Sequence, residues 1–136
     1  MYESMTQYID KLSAEEPGTW IVDNKNDGTP EHPIQFPFVM YGETVRNLEH
    51  AIYEFIESHE ELGLRGYGEI LENNGLKWDM NSMSDADVSS LDGVVVMALL
   101  LGAVRAERFC DGALLHFFEN GCILRWLKRL KELDNN

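Results

Sequence analysis

The sequence predicts a mainly α protein: a single compact bundle of five to six helices around a central apolar helix at about Val94–Arg108, with a small β-hairpin at about Thr19–Tyr41. Three observations predict it. Residues 94–104 carry no charged or hydrogen-bonding side chain, and a helix that is apolar on every side belongs inside a shell of other helices. Residues 43–62 and 122–133 place their apolar side chains at helical spacing, with charge on the remaining surface. Residues 19–22 and 34–41 are rich in β-branched and aromatic residues and flank a run of turn formers. With 136 residues, 44% of them hydrophobic, the chain fits one domain spanning residues 1–136.

Taken in order, residues 2–14 read as a first helix, with Met5, Tyr8, Ile9 and Leu12 forming one inward stripe. Pro17-Gly18 ends it. The hairpin follows, its two strands joined through Asp23-Asn24-Lys25-Asn26-Asp27-Gly28-Thr29-Pro30, and Pro37 confines the second strand to an edge. Such a hairpin is marginal alone and must lie on the helices. Residues 43–62 form the clearest amphipathic helix, with Val45, Leu48, Ile52, Phe55, Ile56 and Leu62 inward and Gly63 as its stop. The glycine-rich GLRGYG segment, residues 63–68, is a turn and lacks the spacing of a phosphate loop. Residues 68–74 make a short helix, and Leu76, Trp78 and Met80 fold a loop over the core. Ser84 is a candidate N-cap, and the central helix begins either near Asp85 or near Ser90. Gly93 and Gly102 weaken that helix and imply close approach of a neighbouring helix. Asp111 is placed to cap the next helix, residues 112–120, and Gly121 separates it from the last, residues 122–133.

The net charge is −13, from 24 acidic and 11 basic residues. It is uneven: residues 1–100 carry −14 and residues 101–136 carry +1. A field of this sign disfavours direct nucleic-acid binding and suits a basic protein partner. The apolar run at residues 94–104 is too short to span a membrane, and residues 1–12 do not read as a signal peptide. A cytoplasmic setting is therefore expected. Cys110 and Cys122 are too few for a disulfide framework and read as buried small side chains.

For chemistry, Arg105, Glu107, Arg108 and Asp111 form the densest group of mixed charge, directly after the most apolar helix. If that helix continues through Asp111, Arg105–Arg108 and Arg108–Asp111 are i, i+3 neighbours and Glu107 faces Asp111 at i, i+4. The cluster then reads either as an ion-pair network fixing a turn or as an anion or metal site, with Glu107 as base or ligand and the arginines holding a negative group. His116 sits in a C-x5-H-x5-C array that is not a zinc spacing, and His50 and His59 are too far apart for an HExxH pair. No nucleophile elbow, dinucleotide fingerprint, metal set or cofactor motif is present. Trp20, Phe36, Phe38, Tyr41, Tyr67 and Trp78 are candidates for a groove beside the hairpin.

The RAERFCDG stretch, Arg105–Gly112, followed by a short apolar helix, Gly121 and an LKRL-type last helix, resembles an uncharacterised bacterial family of unknown function with an R-x-E-R-F-x-D-G signature. The FPFVMY segment, residues 36–41, with the amphipathic helix after it, is similar to that family's N-terminal half, so the likeness spans about residues 34–131. The resemblance implies a small helical domain and transfers no catalytic residue. The functional expectation is a non-enzymatic interaction or regulatory module acting through its acidic helix face or its aromatic hairpin. The alternative is a small enzyme or anionic-ligand-binding domain built on Arg105, Glu107, Arg108 and Asp111.

Overall fold

A computed structural model describes residues 1–22, 28–31, 33 and 36–136. In chain order the elements are α1 (Glu3–Thr6), α2 (Ile9–Ala14), β1 (Gly18–Ile21), β2 (Phe38–Tyr41), α3 (Glu43–Ser58), α4 (Tyr67–Asn73), α5 (Met80–Asp85), α6 (Gly93–Ala106), α7 (Ala113–Glu119) and α8 (Cys122–Asp134). The mainly helical architecture with an appended antiparallel hairpin is the one the sequence predicts. Among the described residues, no helix is long and apolar enough to cross a membrane.

The shell forms around α6. Every residue from Val95 to Val104 is buried, and α3, α4, α7 and α8 all pack against this helix. Full burial of each large aliphatic side chain contributes about 1.5–3 kcal/mol, so this helix supplies a large share of the folding free energy. Trp126 and Leu127 of α8 and Leu114 and Phe117 of α7 are among its fully or almost fully buried neighbours. The Asp92 carboxylate starts the helix by accepting the Val95 N–H at 3.1 Å. The start therefore falls later than either expected position, because that cap lies just after the polar segment.

Several local expectations are corrected by hydrogen bonding. The first helix is two pieces, because the Tyr8 N–H returns to the Met5 carbonyl and tightens the turn. Each half then turns its own apolar residues, Met5 on α1 and Ile9 and Leu12 on α2, toward α3 and α8. The amphipathic helix ends at Ser58 rather than residue 62. His59 leaves helical geometry with its ring 4.2 Å from that of Phe55, and Glu60–Leu62 becomes a 3-10 turn. Ser84 is not a cap: it lies inside α5, whose N-cap is Asp79, accepting the Ser82 N–H at 2.7 Å. Asp87 caps a 3-10 turn at Val88–Ser90. Cys122 is buried as expected, whereas Cys110 lies on an exposed turn. The turn formers at Asp23, Asn24, Lys25, Asn26 and Asp27, together with His32, Ile34 and Gln35, lie outside the described residues.

Two arginines of α8 tie the polar segment down. Arg125 donates to the Ser84 carbonyl at 2.9 Å, and the Arg129 guanidinium donates to the Leu91 carbonyl at 3.0 and 3.1 Å. The basic face of the last helix thus has a binding task beyond complementing the helix dipole.

At Gly93 the close approach is made by a side chain, not by the neighbouring helix expected. A Cβ there would collide with the buried ring and hydroxyl of Tyr2, which closes the start of α6. Gly93→Ala is expected to destabilise the protein by about 1–3 kcal/mol through displacement of Tyr2, measured as a lower denaturation midpoint.

Candidate functional site

The charged cluster sits where α6 gives way to α7. The Phe109 and Cys110 N–H groups both return to the Ala106 carbonyl, so the ladder closes on itself and the helix stops at Ala106 instead of Arg108. The expected i, i+3 pairs Arg105–Arg108 and Arg108–Asp111 consequently do not form, and among the described residues neither Arg108 nor Asp111 makes an ion pair. Both are exposed.

Glu107 has a different role from either expected one. Its carboxylate reaches forward to the start of α7, accepting the Gly112 N–H at 3.0 Å and the Leu114 N–H at 3.0 Å. The Tyr41 hydroxyl donates to the same carboxylate at 2.7 Å and accepts the Leu115 N–H at 3.0 Å. With the Ala113 N–H bonded to the Cys110 carbonyl, the first amides of α7 are satisfied. Asp111, the expected cap, takes no part. Gly112 is the N-cap residue with φ of +90°, a left-handed conformation that favours glycine. A Cβ on it would also strike the Trp20 indole.

This junction is therefore the mount of the hairpin. The register pairs Gly18 with Tyr41, Thr19 with Met40, Trp20 with Val39 and Ile21 with Phe38. Directly opposed residues share a face, and successive residues alternate. One face, bearing Tyr41 and Trp20, meets Glu107 and Gly112. The other presents Thr19, Met40, Ile21 and Phe38 to solvent, with Met40 53% exposed. Phe36, next to this strand, is 89% exposed. Most of the large apolar side chains left exposed among the described residues thus belong to the hairpin and its flanks. Phe109, also exposed, stacks edge-on against Trp78 with ring centroids 5.6 Å apart.

Burial, followed by the bond to Glu107, pushes the Tyr41 hydroxyl far above the usual tyrosine pKa, so it stays a donor. The second carboxylate near Glu107 is Glu49 of α3, not Asp111. Burial, then the charge of Glu107, hold the Glu49 carboxyl above the usual carboxylate range, with Arg46 opposing them. Among the described residues no group of three or more His, Cys, Asp or Glu is gathered in metal-binding geometry.

Arg105 points elsewhere. It lines a cleft of about 260 Å³ with Tyr53, Arg65 and Tyr67, apart from the junction. The helical spacing from Glu49 through Tyr53 to Glu57 was the available sequence signal for this flank of α3. Arg65 and Tyr67, by contrast, were hidden in a glycine-rich turn.

A family model described as a family of unknown function (DUF6508) matches residues 67–136, just over half of the chain. The chain belongs to this family. The matched residues include α4 to α8, and so the RAERFCDG stretch, whereas the hairpin and α3 precede them. The likeness expected for residues 36–41 and the helix after them thus falls outside the match. No curated protein and no solved structure matches the chain.

Glu107→Gln is expected to lower stability by about 1–3 kcal/mol, because an amide replaces a charged acceptor shared by Tyr41 and two backbone donors. Unfolding in denaturant measures this. Glu49→Gln should do the opposite. A raised carboxyl pKa means that the native state holds the proton more tightly than the unfolded chain. The stability so gained is complete below the unfolded value of about 4.3 and is lost as pH rises through the folded value. The variant, uncharged at every pH, should therefore melt higher than wild type at neutral pH, with the advantage vanishing in acid.

Proposed function

We propose that the chain is a non-enzymatic interaction module that docks a basic protein partner on the outward face of its hairpin. The observation that carries this reading is the apolar face formed by Ile21, Phe38 and Met40, left open on a two-stranded sheet whose other face is fastened to the helices. Exposed apolar patches on small proteins mark interaction surfaces, and fixing a strand pair rigidly lowers the ordering cost of binding. Charge complementarity argues for the sign of the partner: the chain has 24 acidic and 11 basic residues, and among the described residues few carboxylates form ion pairs. A bacterial, cytoplasmic setting and the R-x-E-R-F-x-D-G stretch as a family signature belong to the same reading.

The double substitution Phe38→Ser with Met40→Ser tests it, because the two side chains are 38% and 53% exposed and neither belongs to the helical core. The variant should keep the wild-type melting temperature. A protein captured by the wild-type chain, once identified and purified, should be basic, should bind more weakly at higher salt, and should lose binding to the variant. Unchanged binding by the variant, or no basic protein bound, would overturn the proposal. So would sedimentation showing a wild-type dimer that the variant dissolves, which assigns the face to a second copy.

A further inference from the structure

The cleft beside Arg105 lies away from the hairpin and calls for an occupant of its own. It is formed where α3, the Leu64–Gly66 turn, α4 and α6 meet. Two guanidinium groups enter it, Arg105 from the last turn of α6 and Arg65 from the glycine-rich turn. Two phenols, Tyr53 and Tyr67, lie against Arg105 and favour its charged form. Ile56 and Leu101 provide an apolar floor, and Glu57 supplies a carboxylate at the side.

The charge arrangement is unusual for this chain. Acidic residues outnumber basic ones by more than two to one, yet among the described residues neither Arg65 nor Arg105 makes an ion pair with a carboxylate. Two arginines against one lining carboxylate, Glu57, leave the cleft with a net positive charge, an arrangement that is relieved when further negative charge enters. We propose that this cleft binds a small phosphomonoester. Two guanidinium groups balance a phosphate dianion and donate to its oxygens in the bidentate manner that arginine favours. The hydroxyls of Tyr53 and Tyr67 add two neutral donors. Ile56 and Leu101 cover the ligand's carbon skeleton, and Glu57 accepts from a hydroxyl or amine on it. A volume of about 260 Å³ suits a ligand of this size and excludes a dinucleotide.

The site differs from the cluster expected from sequence. It keeps Arg105 but replaces Glu107, Arg108 and Asp111 with residues from α3 and the glycine-rich segment. It also makes use of GLRGYG without a phosphate-loop motif: side chains, rather than backbone amides, hold the anion.

Calorimetric titration and thermal melting of the full chain with inorganic phosphate, phenyl phosphate and benzoate test the proposal. Phenyl phosphate should raise the melting temperature by several degrees at about 100 times its Kd. Phosphate should bind more weakly, and benzoate, a monoanion, more weakly than phenyl phosphate. Arg65→Gln is the decisive variant, because Arg65 is exposed and outside the buried core. It should keep the wild-type melting temperature without ligand and lose at least about tenfold in affinity for phenyl phosphate. Arg105→Gln should lose as much or more. Arg108→Gln, on the exposed turn outside the cleft, should bind as wild type does. No thermal shift with phosphate or phenyl phosphate, undiminished affinity in Arg65→Gln, or an equal loss in Arg108→Gln would overturn the proposal. Benzoate binding as tightly as phenyl phosphate would overturn the phosphomonoester assignment.

Discussion

The structure depends on one constraint: α6 has no side that water can face. Between Val95 and Val104 every residue is buried, so the remaining helices must be distributed around its circumference rather than stacked on one flank. That requirement explains why the chain divides into so many short pieces. Around it, α1 stops after Thr6 and α3 after Ser58. Their tightened ends, at Tyr8 and His59, keep apolar residues aimed at the centre. Tyr2 closes one end of α6 against Gly93, and Trp78 covers it near Gly102, where its indole N–H donates to the Gly102 carbonyl at 2.9 Å.

A second constraint arises where the buried helix ends. Leaving the core, the backbone must turn at once into α7, whose first amides would otherwise lack partners. Glu107 and Tyr41 meet that need together, and in doing so they join elements 66 residues apart in sequence. A two-stranded sheet is marginal in water, and among the described residues the two hydrogen bonds of the Tyr41 hydroxyl and the packing of Trp20 on Gly112 hold it to the bundle. The hairpin can consequently leave its other face apolar and open. The stability of the α6–α7 turn and the presentation of that face are physically the same problem.

The two surfaces proposed for binding rest on separate features of the chain. The hairpin offers apolar area on a chain with a net charge of −13. The cleft holds two arginines against one lining carboxylate, Glu57. The family match covers residues 67–136, and both sites draw residues from before it: Tyr41 for the hairpin mount, Tyr53 and Arg65 for the cleft. Neither is built from the matched segment alone.

Hydrophobic patterning by itself determined the helical class, the central position of residues 94–104, the amphipathic faces of α3 and α8, and the presence of a hairpin. These are properties of single segments, set by the burial preference of side chains at a fixed period. Local spacing also marked Gly93 as a point of close approach, although not Tyr2 as what approaches it. The partners of charged groups were decided by tertiary structure. Among charged groups, Glu107 had only Arg105, Arg108 and Asp111 beside it in sequence, whereas it bonds the Gly112 and Leu114 amides, and the fold delivers Tyr41 and Glu49 from elsewhere. Arg105 likewise finds Tyr53, Arg65 and Tyr67 only after α3 and the glycine-rich turn pack beside α6. Side-chain hydrogen bonds and charge contacts act over a few ångströms without regard to sequence distance. No periodicity within one segment encodes them.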